Sequence, residues 1–390
     1  MSSYQIGIIG YGGFGQFLHH AWQSMPEVKV SAVSDQNPAN QPRDDQISFY
    51  QNWRDLLTDA EIDLVVVATP PVTHAEIACA ALEAGKHVLI EKPLATTIAD
   101  AERIAEAQRK TGRIAAVDYM LRYNPLIAVL AELSQNKILG ELRRVVVENY
   151  AQDEVLPPEH WFWNRKISGG ILVEHAVHFI DLVHLLSART PQLIQGSTHR
   201  RSTGQEDIVT ATILYDNGLI ATHYHSFTRP GFFERTTIRL VFDLGEIELE
   251  GWTPLKGHLR ALVDEQANDY LQKLPGLRVL ESRKIDELAD ESRPEGWGNT
   301  SEEARLQRQQ VQCRGITYPV ERLIIAEFSL GSPKRQVYAA CLRALLTDLI
   351  ASIADPSHQA KVTLEDGLKS LEIAVQAVET AQRSLQNDAD

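Results

Sequence analysis

The sequence has little of what a secreted or membrane-bound protein needs. Only three of its 390 residues are cysteine, and Cys79, Cys313 and Cys341 lie far apart in apolar or helical surroundings, so we expect reduced thiols rather than disulfides. No basic segment precedes Ile6, and no apolar run approaches the length of about 18 residues that a membrane span requires. Neither secretion nor membrane insertion is expected, and the cytoplasm is the default location.

The chain also lacks an excess of basic residues. Lysine and arginine number 38 against 52 aspartates and glutamates, which gives a formal net charge of −14 at pH 7. A protein that binds nucleic acid needs a basic face for the phosphates, so nucleic acid is excluded as a partner. The length fits two domains, and the sequence shows no internal repeat and no low-complexity tract.

A glycine-rich turn near the amino terminus indicates a dinucleotide site. The apolar strand at residues 6–9 runs into a GxGxxG pattern, and a helical pattern at 16–24 follows. Gly10 would allow a tight turn, Gly12 would let backbone N–H groups approach a pyrophosphate, and Gly15 would let helix and strand pack closely. The candidate cofactor-binding residues of this turn are Gly10, Gly12, Gly13, Phe14 and Gly15.

Asp35 is the acidic residue that such a site needs. It ends a second strand at 28–34, about 20 residues after Gly15, which is the separation expected of a carboxylate that binds the adenosine ribose. This carboxylate would repel a 2′-phosphate, and no arginine follows before Arg43, so NAD is favoured and NADP stays open. Asp35 also fits a plain loop residue that begins the turn at 35–38.

Strands and helices alternate through the first part of the chain. A continuous apolar run at 64–68 predicts a strand that is buried on both faces. Further strands are predicted at 87–90 and 113–117, with helices at 73–84 and 98–110. The pattern predicts an α/β fold with a doubly wound parallel sheet of the Rossmann type over residues 1–123.

Lys92 stands at the end of the strand at 87–90 and precedes Pro93. Proline pushes the residue before it into an extended conformation and leaves a cis bond open, so the lysine is held at the strand end. Ligands bind at the ends of parallel strands. We therefore expect Lys92 to act in a binding site.

Three segments together make the chain resemble a known family: TPPVTH at 69–74, ALEAGKHV at 81–88 and EKPLA at 91–95. The chain is similar to the Gfo/Idh/MocA oxidoreductases, which include glucose-fructose oxidoreductase and inositol dehydrogenase, over residues 4 to about 250 and again from a helix that begins near 362. The resemblance implies a catalytic role for the lysine and a lining of the nicotinamide side of the cofactor by Thr69, Pro70, His74, Glu91 and Lys92. Without the resemblance, His74 also fits a helix-start histidine that binds no ligand.

A second group of ionisable residues interrupts an apolar helical segment at 169–182. At 3.6 residues per turn, Glu174, His178 and Asp181 fall within about 60° of one another, whereas His175 and His184 point away from this face. Burying a carboxylate beside an imidazole costs free energy unless the two pair. The group is therefore either catalytic or an ion pair that fixes the orientation of the helix.

The resemblance favours catalysis for this group. Members of the family carry a DxxxHxxD pattern in which the histidine donates or accepts a proton; His178 and Asp181 match it, and Glu174 replaces the first aspartate. A metal bound by Glu174, His175 and His178 is the rival interpretation. No cysteine or HExxH pattern supplies further ligands, so no metal is expected.

Four residues are candidates for substrate binding: Tyr119, Arg122, Trp163 and Asp181. Tyr119 and Arg122 follow from the resemblance, and Arg122 fits an interdomain salt bridge equally well. Trp163 belongs to the run Trp161-Phe162-Trp163-Asn164-Arg165-Lys166, which combines aromatic planes with cations, as suits a sugar ring. Core packing is an equally good interpretation of Trp161.

Residues 124–390 predict an α+β domain with a large open, mostly antiparallel sheet. Strands at 208–215 and 219–227 flank Asp216-Asn217-Gly218, a strong hairpin pattern, and strands at 237–242 and 246–250 extend the sheet. His223 and His225 share one strand face and are interpreted as sheet-surface or interface residues. The resemblance implies that the open face pairs with another subunit, which would give a homodimer or homotetramer.

Two further segments complete the second domain. The charged stretch at 255–320 departs from the family's compact pattern and is interpreted as an insertion of solvated helices and loop. A C-terminal helix is expected at about 363–384.

The resemblance and the two ionisable groups together predict an NAD(P)-dependent oxidoreductase. It would transfer a hydride between the nicotinamide and a secondary alcohol or ketone of a sugar, cyclitol or sugar derivative, with His178 and Lys92 at the reacting oxygen and Glu174 orienting the histidine. Two alternatives remain open: a glycosidase that oxidises its substrate transiently with bound NAD, and a non-catalytic NAD-binding regulator. A regulator has no need of Lys92 or His178.

Overall fold

The computed structural model describes residues 3–285 and 310–387. Six strands near the amino terminus form one parallel sheet: β1 (Tyr4–Ile9), β2 (Val28–Ser34), β3 (Ser48–Tyr50), β4 (Leu64–Val67), β5 (His87–Ile90) and β6 (Ala115–Val117). Their order across the sheet is β3-β2-β1-β4-β5-β6, which reverses direction at β1. The predicted doubly wound sheet is confirmed, and such a reversal is where open α/β sheets bind ligands.

Four helices connect these strands: α1 (Gly13–Trp22), α2 (Trp53–Leu57), α3 (His74–Glu83) and α4 (Ile98–Thr111). All four residues of β4 are fully buried, as the continuous apolar run predicts. The sequence analysis did not predict β3 and α2. They have three and five residues, too few for a hydrophobic period to show.

A second, nine-stranded sheet follows. Its strands are β7 (Leu142–Gln152), β8 (Pro191–Arg200), β9 (Glu206–Tyr215), β10 (Ile220–Arg229), β11 (Arg235–Phe242), β12 (Gly245–Glu250), β13 (Lys256–Val263), β14 (Arg278–Lys284) and β17 (Arg322–Ser329); β15 (Gln310–Cys313) and β16 (Ile316–Pro319) form a separate hairpin. Only β7 and β10 pair in parallel among the nine. The prediction of a mostly antiparallel sheet is therefore confirmed.

The remaining helices are α5 (Pro125–Gln135), α6 (Arg165–Ser168), α7 (Val177–Ser187), α8 (Glu265–Leu271), α9 (Lys334–Ala354) and α10 (Leu364–Asn387). A single π-helical turn, Leu172–Ala176, leads into α7. Helices α7 and α10 pack on the large sheet and on each other, while α9 packs against α1 of the first sheet. Helix α10 also contacts β6 and thus touches both sheets.

The hairpin between β9 and β10 has the predicted turn. Gly218 has φ of +79°, a conformation that favours glycine, and Leu219 N–H donates to Asn217 Oδ1 at 3.0 Å. His223 and His225 in β10 do not lie on the sheet surface, in contrast to their interpretation from the sequence. They are 1% and 0% exposed, because their side of the sheet is covered by the segment that carries His175 and Phe179.

The charged stretch at 255–320 contains more of the sheet than the sequence indicated. Its strand β13 lies between β12 and β17, and β14 forms the edge of the sheet. Charged residues on the exposed side of β13 alternate with buried ones such as Leu259 and Ala261, and this alternation is a strand pattern that the overall charge concealed. Residues 286–309 of the expected insertion lie outside the described residues.

Within residues 3–285 and 310–387, two helical stretches are long and apolar enough to span a membrane by length and composition alone: Arg165–Ser187 and Lys334–Ala354. The apolar window of the first is 78% buried inside the molecule and that of the second 44%. Core helices pass the same test, so these two stretches are weak evidence for a membrane span.

Candidate active site

A cavity of about 830 Å³ lies at the carboxyl ends of the parallel strands. The residues that directly follow β1, β2, β4 and β5 line it, namely Gly10, Asp35, Ala68 and Glu91. The opposite wall comes from the second half of the chain. The cavity therefore lies between the two sheets, at the place where the strand order predicts a ligand.

The glycine-rich turn forms the floor of this cavity in the way its sequence requires. Gly10 has φ of +94°, and a Cβ there would lie 2.4 Å from the carbonyl oxygen of Ala68. A Cβ on Gly15 would lie 2.1 Å from the oxygen of Gly10, so helix and strand can approach only without it. Gly12 and Gly13 have nothing within 4 Å of such a Cβ, which leaves open space beside the start of α1. A pyrophosphate fits this arrangement of open backbone at a helix N-terminus.

Asp35 lies at the end of this cavity that is farther from Lys92 along the sheet. It follows β2, and its Oδ1 accepts the backbone N–H of Asn37 at 2.8 Å, which fixes the carboxylate in a short turn. Phe14, Thr69 and Pro70, also predicted as cofactor-binding residues, line the same cavity.

Lys92 is held by two hydrogen bonds from the other half of the molecule. Its Nζ donates to Glu174 Oε1 at 2.5 Å and to the backbone oxygen of Glu174 at 3.0 Å. The bond between Lys92 and Pro93 is cis. Both side chains line the cavity and are partly open to it, at 19% and 10% exposed. A charged ammonium is thus anchored at the wall of the cavity.

His178 faces the same cavity from α7. Its ring lies edge-on to Trp252, with centroids 4.9 Å apart, and Nδ1 has no hydrogen-bond partner among the described residues. Burial holds the pKa of His178 well below its usual value, and the nearby charge of Lys92 lowers that pKa further. The imidazole is therefore neutral at neutral pH and able to accept a proton.

Glu174, His178 and Asp181, which the helical pattern places on one face, do not form one hydrogen-bonded group in the structure. Glu174 binds Lys92, and Asp181 binds Arg122, so neither carboxylate forms a hydrogen bond with His178. The reason is the π-helical turn at Leu172–Ala176, which changes the angle between Glu174 and the residues of α7 from the value of a regular α-helix. Glu174 thus contacts Lys92 and does not orient His178 as the sequence analysis predicts.

The four substrate-binding candidates do not line the cavity. Tyr119 is 1% exposed behind His178, with ring centroids 6.1 Å apart. Trp163 donates its indole N–H to the oxygen of Leu156 at 3.1 Å and packs on Phe227. The neighbouring Trp161 lines the cavity instead.

Arg122 and Asp181 form a buried cluster behind the cavity. The guanidinium donates to both oxygens of Asp181, at 2.6 and 2.9 Å, to Asp366 at 2.9 Å and to the oxygen of Lys361 at 2.7 Å. The side chains of Arg122 and Asp181 are 6% and 1% exposed. Arg122 therefore forms buried salt bridges, which is the alternative to substrate binding that the sequence left open.

His74 holds two cavity walls together without facing the cavity. It is fully buried, and its ring nitrogens lie 2.8 Å from the oxygen of Pro93 and 2.9 Å from that of Thr69. The loops after β4 and β5 are therefore joined through this ring. Any influence of His74 on a cofactor passes through these two loops.

Three aromatic residues of the cavity wall were missed by the sequence analysis: Trp53, Trp252 and Tyr338. The rings of Trp252 and Tyr338 pack against each other at a tilt of 32°, with centroids 5.7 Å apart. Tyr338 lies on α9, far along the chain from every motif, so no local pattern could have indicated it. Trp252 follows β12 and Gly251, and a large aromatic residue at a strand end was the only available indication.

Two family models match the chain. That of the oxidoreductase family with an NAD-binding Rossmann fold, GFO_IDH_MocA, covers residues 4–119, and that of the GFO/IDH/MocA C-terminal domain covers residues 127–248. The chain belongs to the Gfo/Idh/MocA family. The resemblance that the sequence motifs indicate is thereby confirmed.

Among its relatives in the Gfo/Idh/MocA family is the inositol 2-dehydrogenase/D-chiro-inositol 3-dehydrogenase of Lactiplantibacillus plantarum, 31% identical over 189 residues, which are 47% of this chain and 52% of the relative. The levoglucosan dehydrogenase of Pseudarthrobacter phenanthrenivorans is 29% identical over 202 residues, 48% of this chain and 52% of the relative. The chain thus spans about half the length of the curated relatives it matches.

Solved structures of the Gfo/Idh/MocA type share the whole fold. A levoglucosan dehydrogenase in complex with NADH and levoglucosan has a TM-score of 0.74 at 19% identity and covers 98% of both chains. The aldose-aldose oxidoreductase of Caulobacter crescentus, complexed with glycerol, has a TM-score of 0.70 at 20% identity and also covers 98% of both chains. At these identities the likeness shows the fold alone.

Proposed function

We propose that this protein is an NAD-dependent dehydrogenase that oxidises a secondary alcohol of a sugar or cyclitol, or reduces the corresponding ketone. The observation that carries the proposal is the meeting of Lys92 and His178 in the one cavity that the glycine-rich turn also lines. One comes from the end of a parallel strand and the other from a helix on the second sheet. A cation and a neutral base beside a dinucleotide site are what alcohol oxidation requires.

The chemistry of the site follows from the two side chains. In the oxidative direction, the ammonium of Lys92 donates a hydrogen bond to the substrate oxygen, and His178 takes the hydroxyl proton as the O–H bond breaks. The carbinol carbon loses its hydrogen with the electron pair, and the nicotinamide of the bound cofactor supplies the acceptor for that hydride. In the reductive direction His178 returns the proton. Glu174 keeps Lys92 in place through the carboxylate and the backbone oxygen.

NAD is the cofactor that the cavity supports best. The open backbone at Gly12 and Gly13 leaves room for a pyrophosphate. The carboxylate of Asp35 suits ribose hydroxyls and repels a 2′-phosphate, which disfavours NADP. Thr69, Pro70 and Glu91 line the part of the cavity near Lys92.

A neutral carbohydrate is the substrate class that fits the remaining wall. Among the described lining residues only Lys92 carries a lysine or arginine charge, and it is already paired with Glu174. Trp161 and Trp252 offer apolar faces for the C–H side of a ring. The names of the relatives, which include inositol and levoglucosan dehydrogenases, agree with this class.

We also propose that the enzyme is a homo-oligomer in the cytoplasm. The face of the large sheet opposite α7 carries Tyr150 and Tyr224, whose rings lie 5.1 Å apart on neighbouring strands, and it would pair with a second subunit. All three cysteines are unpaired, which suits a reducing compartment. The division of the chain at residue 123 into a cofactor domain and a substrate domain remains a prediction.

The decisive experiment is a substrate screen that follows NADH absorbance. Neutral cyclitols, aldoses and anhydrosugars are compared with uronic acids and sugar phosphates, each with NAD and with NADP. We expect turnover with NAD and a neutral substrate. In Lys92→Met and His178→Ala, kcat should fall by roughly 10²–10⁴-fold, while the Kd of NAD changes little.

The same screen tests the alternatives. Cleavage of a glycoside without net NADH would replace the dehydrogenase by the glycosidase that oxidises transiently. Tight NAD binding with no turnover of any substrate would favour the regulator. Unchanged kcat in His178→Ala would refute the assignment of the base.

A further inference from the structure

Two carboxyl groups meet below the end of the cavity that contains Lys92. Glu91 directly follows β5 and Asp118 directly follows β6, and the backbone N–H of Asp118 donates to the oxygen of Ile90 at 2.7 Å. Because the two strands are parallel neighbours, their ends bring the two side chains into hydrogen-bond contact. The residues are 8% and 1% exposed, and Glu91 reaches the cavity wall.

The surroundings of this carboxyl pair require a shared proton. Asp118 Oδ1 accepts the backbone N–H of Met120 at 3.0 Å. Glu91 Oε1 and Asp118 Oδ2 are buried, and no donor among the described residues gives either oxygen a hydrogen bond. Two ionised carboxylates cannot donate to each other, and like charges in contact cannot both persist in a buried site. One proton held between the two groups satisfies both, and it leaves a single negative charge on the pair.

That charge is not cancelled by its neighbours. Lys92 is the nearest cation, and it is already paired with Glu174. The other ionisable neighbours, Tyr338 and Cys341, are neutral, because burial and then the nearby carboxyl groups raise their pKa values. The net charge around this end of the cavity is therefore that of the carboxyl pair.

We propose that the Glu91–Asp118 pair holds one negative charge below the nicotinamide end of the cavity and so makes the protein bind the oxidised dinucleotide in preference to the reduced one. This inference rests on the proposed function, in which the cavity binds NAD. The oxidised nicotinamide ring carries a positive charge and the reduced ring carries none, so a fixed buried anion attracts only the oxidised form. At the dielectric of a partly buried site, one such charge amounts to roughly a tenfold preference.

The preference for the oxidised dinucleotide is expected only in the complexes of the protein with a dinucleotide and no substrate. During alcohol oxidation the positive charge does not vanish from the site, because His178 gains a proton as the ring loses its charge. Binding of each dinucleotide without substrate is therefore the measurement that isolates the pair.

The test compares Glu91→Gln with the double variant Glu91→Gln/Asp118→Asn. In the single variant the amide of the new side chain donates to Asp118, which keeps the anion. The double variant has nearly the same shape and no charge. Fluorescence titration of NADH, with competition by NAD, gives the ratio of the two Kd values. We expect the preference for the oxidised form to be roughly tenfold weaker in the double variant than in the single one.

Each outcome has a distinct meaning. Equal ratios in the two variants would overturn the inference and leave the proposed function intact, since both dinucleotides still bind. Failure of the unaltered protein to bind either dinucleotide would end the proposed function and this inference together.

The infrared spectrum of the unaltered protein gives a second test if the double variant does not fold. At neutral pH it should show the C=O stretch of a protonated carboxyl group, which disappears in Glu91→Gln. Absence of that band from the unaltered protein would overturn the shared proton.

Discussion

The ion pairs Lys92–Glu174 and Arg122–Asp181 differ in their access to the cavity. Lys92 and Glu174 meet at its wall with 19% and 10% of their side chains exposed, whereas Arg122 and Asp181 are sealed behind it at 6% and 1%. Both pairs connect the first sheet to the helical segment at 165–187. The same type of contact can therefore have two roles: the accessible pair can meet a ligand, whereas the sealed pair can only hold the packed segments together.

The sealed pair should show the largest effect on stability. Arg122→Met would leave Asp181 and Asp366 buried without their shared cation, so we expect a loss of about 3–5 kcal/mol in the free energy of unfolding. Urea denaturation followed by fluorescence measures it. The matched variant Lys92→Met should lose far less stability, because water in the cavity can solvate Glu174. Equal losses in the two variants would remove the distinction between the pairs.

The same distinction between sealed and accessible groups extends to the histidines. His223 is fully buried, no described residue forms a hydrogen bond with its ring, and burial lowers its pKa to about 4. Since the unfolded chain takes up this proton near pH 6.5 and the folded protein does not, stability must fall as the pH drops from about 6.5 towards 4. This residue alone accounts for about 3 kcal/mol of that loss.

His223→Leu should therefore flatten the fall of stability with acid. Thermal midpoints or urea midpoints at pH 7, 5.5 and 4.5 measure the change. His258→Leu is the control, because His258 is exposed on β13. If stability falls equally with acid in His223→Leu and in the unaltered protein, the pKa of His223 is not lowered in the folded protein, which contradicts the prediction.

The smallest expected effect sharpens the role of the accessible pair. Glu174→Gln removes the negative charge but leaves the backbone oxygen of Glu174 on Lys92. We expect kcat to fall about tenfold, which is about 1.4 kcal/mol, with little change in stability. Steady-state kinetics measure it, and Glu106→Gln in an exposed pair is the control. A loss as large as that of Lys92→Met would mean that the carboxylate acts directly on the substrate.

Local chemistry predicted the backbone of the glycine-rich turn and of the strand end at Lys92. The turn at Gly10 and the strand end at Lys92 follow from short segments, because their conformations are set by neighbouring residues. The second half was harder. The angle between Glu174 and His178 depends on one π-helical turn, which no periodicity announces, and Tyr338 reaches the cavity through the packing of α9 on α1. Such features arise from tertiary contacts and not from the local sequence.

The carboxylate of Asp366, which binds Arg122, has a consequence for the order in which the molecule can assemble. It lies 244 residues after Arg122 along the chain. During synthesis the ribosome must release the chain through residue 366 before this anion can reach the guanidinium. All strands of the two large sheets precede Asp366 along the chain and can begin to fold earlier, so this ion pair forms only after the strands that it ties together have been released.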